Sequence, residues 1–353
     1  MLCVLIMAGG KGERFWPLST DEKPKQFLNL LGKDTMIQMT VNRMKKIVPI
    51  DRIFVVTGEK YVDLLRQQIP DLPERNIIVE PIGRNTAPCI ALSALVIDKF
   101  YEDSEMVVVP SDHLVTEEDK FIKVIASSSE FVKKNQEAIV TIGIKPDRPE
   151  IGYGYIKANM KLKTGSILFS DFYKVDKFVE KPTLDRAKQY MLQHEYLWNS
   201  GMFIWKTKNI LKLIQKYLPN TYEILEQLSK IAEEDFQKVL RDRYMDVDNI
   251  SIDYGIMEKA ENIYVAPAEF GWDDVGTWKS VERYREKDVN NNIGVGNIRC
   301  IEGSNNIIMG GNKPIVVVGL NDILVAETND IIFIGKKENI VNIKETKKML
   351  DRG

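Results

Sequence analysis

The segment AGGKGERFWPLSTDEKPKQF, residues 8–27, brings Gly9, Gly10 and Gly12 together with Arg14 and Lys25. Glycines let a backbone bend sharply and aim N–H groups at an anion, and nearby cations add fixed positive charge. The chemistry to expect is capture of phosphate. Two familiar glycine loops do not fit. A P-loop ends in Gly-Lys-Ser/Thr, whereas Gly12 is followed by Glu13 and Arg14. A dinucleotide fingerprint needs a third glycine where Phe15 stands, and its acid is matched only by Asp34, in a turn rather than at a strand end. Pro24 fixes the backbone beside Lys25, as a positioned side chain requires. Farther along, Asp112 follows an apolar run at 106–110, and Asp274 lies in the turn-rich GWDDVGTW, where Asp273 could exchange roles with it. Two carboxylates with phosphate oxygens and water suit Mg²⁺, a hard ion that rarely takes an all-protein cage.

Strand ends must position these groups. LCVLIM, residues 2–7, is a short, wholly apolar run of the kind found in a central parallel strand. Ile37, Val41, Met44 and Val48 then recur at helical spacing, DRIFVVTG reads as a strand, and 59–69 as a helix. IIVEP, a helix over 87–100, MVVVPSD, a helix over 121–133 and AIVTIGI continue the alternation. This pattern predicts an α/β fold with a doubly wound, mostly parallel, Rossmann-like sheet, whose functional loops gather at the strand C-termini. The glycine turn, EPIGRNTAP and PSDH all fall there.

Beyond residue 149 come a polar insertion, a strand carrying FVEKP, a helix over 184–192, the strand-like YLWNSGMFIW, and a long helical stretch over 209–232. From about 290 the chain turns to short β-prone runs (NIRCIEG, NIIMG, PIVVVGL, ILVAE, IIFIG and IVNI) about 8 to 10 residues apart, with a closing helix over 344–350. We read these runs as a small parallel β-solenoid, with a small sandwich as the alternative. The expected division is 1–289 and 290–353.

The 353 residues support one large or two unequal domains, and a net charge of −2 offers no global attraction to nucleic acid or anionic lipid. Cys3, Cys89 and Cys300 are too scattered for a disulfide framework, and His113 and His194 alone leave no histidine metal cluster. The chain starts directly on a core strand, with no leader-like segment and no run long enough to span a bilayer. A reduced, cytoplasmic setting is expected, with neither membrane nor nucleic-acid partner.

The signature 8–27 resembles that of the sugar-1-phosphate nucleotidylyltransferases, and FWPLS and PKQF look like their guanylyl-transferring, mannose-using branch. EPIGRNTAP, VVPSDH, GYGYI, FVEKP, WNSGMF, DYGIMEKA and GWDDVGTW continue the likeness in order, to Trp278. The resemblance implies GTP and mannose 1-phosphate as substrates, GDP-mannose and pyrophosphate as products, and Mg²⁺ as cofactor. It also implies a left-handed β-helix in the C-terminal segment. The reaction is attack of an already anionic phosphate oxygen on the α-phosphorus, so it needs cations, N–H groups and a metal but no general base.

By the same resemblance, Gly9, Gly10 and Gly12 take the triphosphate with help from Lys11, and Arg14 and Lys25 contact its phosphates. Asp112 and Asp274 hold the metal, Asp274 matching the family's second ligand. The nucleotide side includes Ala8, Glu80, Gly83, Arg84, Asn85, Thr86 and Ser111. Glu80 is a candidate acceptor for guanine N1–H and N2–H₂, and Arg84 and Asn85 candidates for O6, ribose or a loop carbonyl. GRNTAP also reads as the start of the following helix, with Thr86 as its cap. Gly154, Glu180, Lys181 and Asn199 form the sugar half: carboxylate and amide for hydroxyls, Lys181 for the phosphate. Asp253 is a weaker candidate there, Tyr254 and Met257 are expected in the core, and His113 is read as a structural hydrogen-bonding residue.

Rival readings fit the residues less well. Another sugar nucleotidylyltransferase, using glucose 1-phosphate, is disfavoured by EPIGRNTAP and FWPLS. A noncatalytic regulatory subunit should have lost phosphate or metal groups, yet Arg14, Lys25, Asp112 and Asp274 are all present. Without the further C-terminal isomerase domain of some bifunctional relatives, no sugar-phosphate isomerase activity is expected. The Ile and Val runs beyond 290 lie in a segment too short for a large core of its own, and a brief solenoid leaves unpaired strand edges, so a homodimer through this segment is expected.

Overall fold

The apolar LCVLIM becomes β1 (Leu2–Met7), buried through its middle because parallel neighbours cover both edges and helices both faces. A computed structural model of the chain describes residues 1–10, 13–343 and 347. Its first unit by contact, Met1–Gly9 with Thr40–Trp272, is built on a nine-stranded sheet. After β1 the chain supplies β2 (Ile53–Gly58), β3 (Ile77–Glu80), β4 (Glu105–Pro110), β5 (Leu114–Val115), β6 (Ile139–Ile144), β7 (Tyr155–Ile167), β8 (Ser170–Val179), β9 (Tyr196–Lys206) and β10 (Ile263–Ala268). The helices are α1 (Met36–Lys45), α2 (Val62–Gln68), α3 (Thr86–Phe100), α4 (Glu118–Lys134), α5 (Leu184–Leu192), α6 (Thr207–Tyr217), α7 (Pro219–Ser229) and α8 (Glu233–Arg243).

The strand order is β3-β2-β1-β4-β9-β6-β10-β8-β7. β3, β2, β1 and β4 run parallel, as do β6 and β10, while β9 lies antiparallel between β4 and β6. Being antiparallel, β9 brings its first residues, Asn199 among them, to the edge where β1, β3 and β4 end. That edge gathers the loops expected to carry function. Ile90, Phe203, Trp205, Ile210, Ile214 and Leu225 share the main buried cluster, so α3, α6 and α7 pack on one face.

Local departures from the sequence reading have physical causes. The single helix expected over 209–232 is two, because Pro219 has no N–H to continue α6 and instead opens α7. α3 is capped by Asn85, not Thr86. Asn85 adopts φ 71° and its side chain accepts the Thr86 N–H at 3.0 Å. The Thr86 hydroxyl accepts the Ile252 N–H at 2.8 Å instead.

The second unit, Gly10–Met39 with Asp273–Gly353, joins the signature loop to the C-terminal segment. After β11 (Trp272–Asp273) and α9 (Trp278–Tyr284) come β12 (Ile293–Val295), β13 (Ile298–Ile301), β14 (Ile307–Met309), β15 (Ile315–Val318), β16 (Ile323–Glu327) and β17 (Ile332–Lys336). β12, β14 and β16 stack in parallel, as do β13 and β15, which is a β-helix-like coil closed by antiparallel β17. Each coil contains two strands, which is why the runs are so closely spaced. Buried asparagines hold its corners: Asn306 accepts the Ile323 N–H at 3.1 Å and donates to the Leu320 carbonyl at 2.8 Å, and Asn292 donates to the Gly303 carbonyl at 3.0 Å. IVNI, expected as a strand, falls in the turn of helix over Lys337–Asn342 and its end. The helix expected over 344–350 lies almost wholly outside the described residues.

The signature loop is clipped to this segment. Arg285 donates to the carbonyls of Leu30 at 2.6 Å and Asn29 at 2.7 Å, Phe15 meets Trp278 edge-on at 5.3 Å, and Trp16 meets Phe333 at 5.8 Å. Among the described residues no helix is long and apolar enough to cross a membrane.

Candidate active site

In the second unit, Lys25 opens a short helical turn, Lys25–Phe27, that is buried throughout. Only 6% of Lys25 is exposed, and its Nζ donates to the Asp274 carbonyl at 2.5 Å. A buried ammonium is costly without such a partner, so this contact fixes where the charge sits. Next to it, Gln26 donates to the Gly10 carbonyl at 3.1 Å and pins the glycine turn. Lys11 and Gly12 lie outside the described residues.

Gly276 organises the opposite loop. Its N–H donates to Asp274 Oδ1 at 2.8 Å, and a Cβ placed on it would stand 2.9 Å from both Asp274 oxygens and 3.2 Å from the Arg14 guanidinium. Glycine leaves that room without displacing either group, so Arg14 and Asp274 both flank a bare stretch of backbone. Asp273 is differently employed. It is fully buried, accepts the Val275 N–H at 2.8 Å, pairs with Arg283 and receives the Tyr284 hydroxyl at 3.4 Å. Asp273 braces the loop, whereas Asp274 is partly exposed.

In the first unit, Ala8 is buried at the end of β1. Its N–H donates to Val56 O at 2.8 Å, and its carbonyl accepts the Thr57 hydroxyl at 3.1 Å. Ser111 is held from both sides, its N–H on the Met7 carbonyl at 3.0 Å and its own carbonyl accepting the Thr40 hydroxyl at 3.1 Å. Asp112 follows, partly exposed, with His113 Nε2 4.0 Å from its carboxylate. His113 Nδ1 accepts the Trp272 indole N–H at 3.3 Å, a bond only the unprotonated nitrogen can make, which gives this histidine a structural task.

Glu80 ends β3 with a buried side chain. One oxygen accepts the Tyr244 hydroxyl at 2.7 Å, and the other lies 3.7 Å from where a Cβ on Gly9 would stand. Burial holds its carboxyl above the usual range, opposed by the bonds from Tyr244 and the Arg84 N–H. The Arg84 guanidinium reaches the Met245 carbonyl, so this side chain grips the turn that carries Tyr244. Asn85 is exposed and committed to the cap, and Gly83 is exposed with open space around it. Tyr244 escaped the sequence reading because it follows a charged helix without any motif.

The sugar-side candidates also meet. The Asn199 N–H donates to the Gly154 carbonyl at 2.8 Å, its Nδ2 donates to Asp253 at 3.0 Å, and its Oδ1 accepts the Gly201 N–H at 3.0 Å. Tyr254, expected in the core, is instead 46% exposed and hydrogen-bonds Glu180. Its neighbours in the helical turn, Gly255, Ile256 and Met257, take the buried side, leaving Tyr254 outward. Lys181 is exposed just after β8. Tyr153 packs edge-on against Trp198 and Trp272, and the Arg148 guanidinium lies 4.8 Å over the Trp198 ring.

Among the described residues no three His, Cys, Asp or Glu side chains cluster tightly enough to hold a metal ion. A hard cation at Asp112 or Asp274 would draw its other ligands from phosphate oxygens and water, and both carboxylates are exposed enough for that.

The family model described as nucleotidyl transferase matches residues 3–291, and that of the mannose-phosphate isomerase/GMP-like β-helix domain matches 296–350. Mannose-1-phosphate guanylyltransferase 2 of Escherichia coli O157:H7 is 34% identical over 99% of this chain and 73% of that protein. The mannose-1-phosphate guanylyltransferase of Sinorhizobium fredii is 33% identical over 98% of this chain and 67% of that one. A crystal structure described as a mannose-1-phosphate geranyltransferase from Thermus thermophilus superposes with a TM-score of 0.86 at 31% identity, covering 99% of both chains.

The Asn199–Asp253 contact generates a prediction. Burial chiefly, with Glu180's charge, holds the Asp253 carboxyl above its ordinary 3.8 against the lowering from Asn199. A carboxyl that binds its proton more tightly when folded supports the fold fully below its unfolded value and loses that support as pH rises through the folded one. Wild-type thermal midpoints should carry this decline above pH 3.8, and Asp253→Asn should lack it. An unchanged pH slope in the variant would contradict the assignment.

Proposed function

The chain belongs to the nucleotidyl transferase family, among its mannose-1-phosphate guanylyltransferases, and we propose that it transfers GMP from GTP to mannose 1-phosphate. A phosphate oxygen of mannose 1-phosphate bonds to the α-phosphorus of GTP as the bond to the β-phosphate oxygen breaks, giving GDP-mannose and pyrophosphate. The observation that carries this reading is the union, in one compact unit, of buried Lys25, Gly10, Arg14 and Asp274. Such a group can hold a polyanion and neutralise developing charge without any proton transfer from the protein.

In this mechanism Gly9 and Gly10 present N–H groups to the triphosphate, Gly12 joins them and Lys11 assists, and Ser111 and Gly83 line the nucleotide. Lys25 and Arg14 take the phosphate charge. Glu80 accepts from the guanine edge beside the Ala8 backbone, on a wall shaped by Arg84, Asn85 and Thr86. Lys181 orients the sugar phosphate, while Glu180 and Asn199, beside Gly154, hold hydroxyls. Asp112 and Asp274 are the residues that would hold Mg²⁺, which when bound withdraws charge from the phosphate oxygens.

The C-terminal coil serves assembly in this reading. Ile301, Val316, Val318, Ile332 and Ile334 are each about half exposed or more, an apolar set that a second copy of the chain would cover in a homodimer. A cytoplasmic location follows from the substrates proposed.

Two experiments test the function. In a matrix of nucleoside triphosphates against sugar 1-phosphates, read by pyrophosphate release, GTP with mannose 1-phosphate should be among the best pairs; if it is not, the substrate assignment is wrong. Asp112→Asn and Asp274→Asn should each keep the fold but lower turnover by roughly 10² or more, since each weakens a charge interaction at the reacting phosphates. Near wild-type rates at saturating Mg²⁺ in both variants would remove them from the site.

A further inference from the structure

Glu80 presents its two carboxylate oxygens to different neighbours. Its register partner on β2 is Gly58, which has no side chain, and from the end of β3 the carboxylate extends toward β1. There Oε2 comes within 3.7 Å of the position a Gly9 Cβ would occupy. Oε1 is tied down by the Tyr244 hydroxyl at 2.7 Å. Tyr244 is itself fully buried, on a turn whose Met245 carbonyl is gripped by the Arg84 guanidinium. Burial and the charge of Glu80 push the phenol far above its ordinary range, so Tyr244 keeps its proton and donates it to Glu80.

A carboxylate fixed in this way can receive two parallel N–H donors, the pattern that the N1–H and N2–H₂ edge of guanine offers. Adenine sets an acceptor at N1 and is repelled. Hypoxanthine keeps N1–H but lacks the exocyclic amine.

We propose that Tyr244 is a positioning residue that orients Glu80 toward the 2-amino group of the base, so that the site discriminates GTP from inosine triphosphate. This deepens the reading of Glu80 as the base acceptor and rests on it. The tyrosine acts from outside the nucleotide, through one hydrogen bond to the group that touches it. A hydrogen bond to a charged partner contributes about 1.5–3 kcal/mol, which sets the scale at about 10- to 100-fold.

The test compares kcat/KM for GTP and inosine triphosphate, each with mannose 1-phosphate, in the wild type, Tyr244→Phe and Glu80→Gln. The wild type should favour GTP by about ten-fold or more. Tyr244→Phe should shrink that ratio several-fold, mainly by raising KM for GTP, because the base is remote from the reacting phosphorus and kcat should change little. Glu80→Gln should bring the ratio close to one. If Tyr244→Phe weakens both nucleotides equally and leaves the ratio intact, the phenol is merely structural and the proposal is wrong. Should that variant not fold, Glu80→Gln decides alone, since an unchanged ratio there also overturns it. A wild type inactive with GTP and mannose 1-phosphate would instead sink the proposed function, a failure visible before any variant is made.

Discussion

A buried ammonium group sets the terms for this protein. Lys25 lies almost wholly out of water, and desolvating such a charge costs several kcal/mol unless oxygen surrounds it. The Asp274 carbonyl meets that demand from a position 249 residues along the chain. A loop that must deliver its lysine to one carbonyl cannot wander, so residues 10–39 form one compact unit with 273–353. The remaining contacts in that unit reinforce the tie: Arg285 on the carbonyls of Leu30 and Asn29, Phe15 on Trp278, Trp16 on Phe333. The C-terminal segment is therefore part of what holds the loop proposed to capture phosphate.

The first unit solves a different problem, that of keeping carboxylates usable in a poorly solvated place. Glu80 and Asp253 are both held above the ordinary carboxyl range by burial, and each is given donors that favour its charged form. Tyr244 and the Arg84 N–H serve Glu80, and Asn199 serves Asp253. Asn199 is thereby engaged at both ends of its amide, by Asp253 and by the Gly201 N–H. Its geometry is thus fixed by the protein itself, as preorganisation would require if it holds a sugar hydroxyl as proposed.

Much of this was legible in the chain because it is local. The apolar run of β1, the strand and helix alternation through 144, and the closely spaced strands beyond 290 follow from hydrophobic period and turn residues. What escaped depended on distant partners. Nothing near Tyr244 in sequence announces that its hydroxyl will meet Glu80, 164 positions earlier. Tyr254 reads as a core residue in DYGIM, but the helical turn there puts Gly255, Ile256 and Met257 inside. The family resemblance favours Asp274 over Asp273 but leaves an exchange of roles open, and the two separate physically once Arg283 and the Val275 N–H claim the first. The insertion of β9 between β4 and β6 is likewise a tertiary choice that neither strand's pattern encodes.

If Lys25 is a cation placed for the transition state, removing its charge should slow the chemical step. Steady-state pyrophosphate release by Lys25→Met, which keeps the volume and removes the charge, tests it most directly, provided the thermal midpoint shows a folded variant. The kcat should fall by about 10² or more, with a smaller change in KM for GTP, because the charge it would neutralise grows as pyrophosphate departs. A folded variant with wild-type kcat and only a raised KM would contradict it and leave Lys25 as a binding residue.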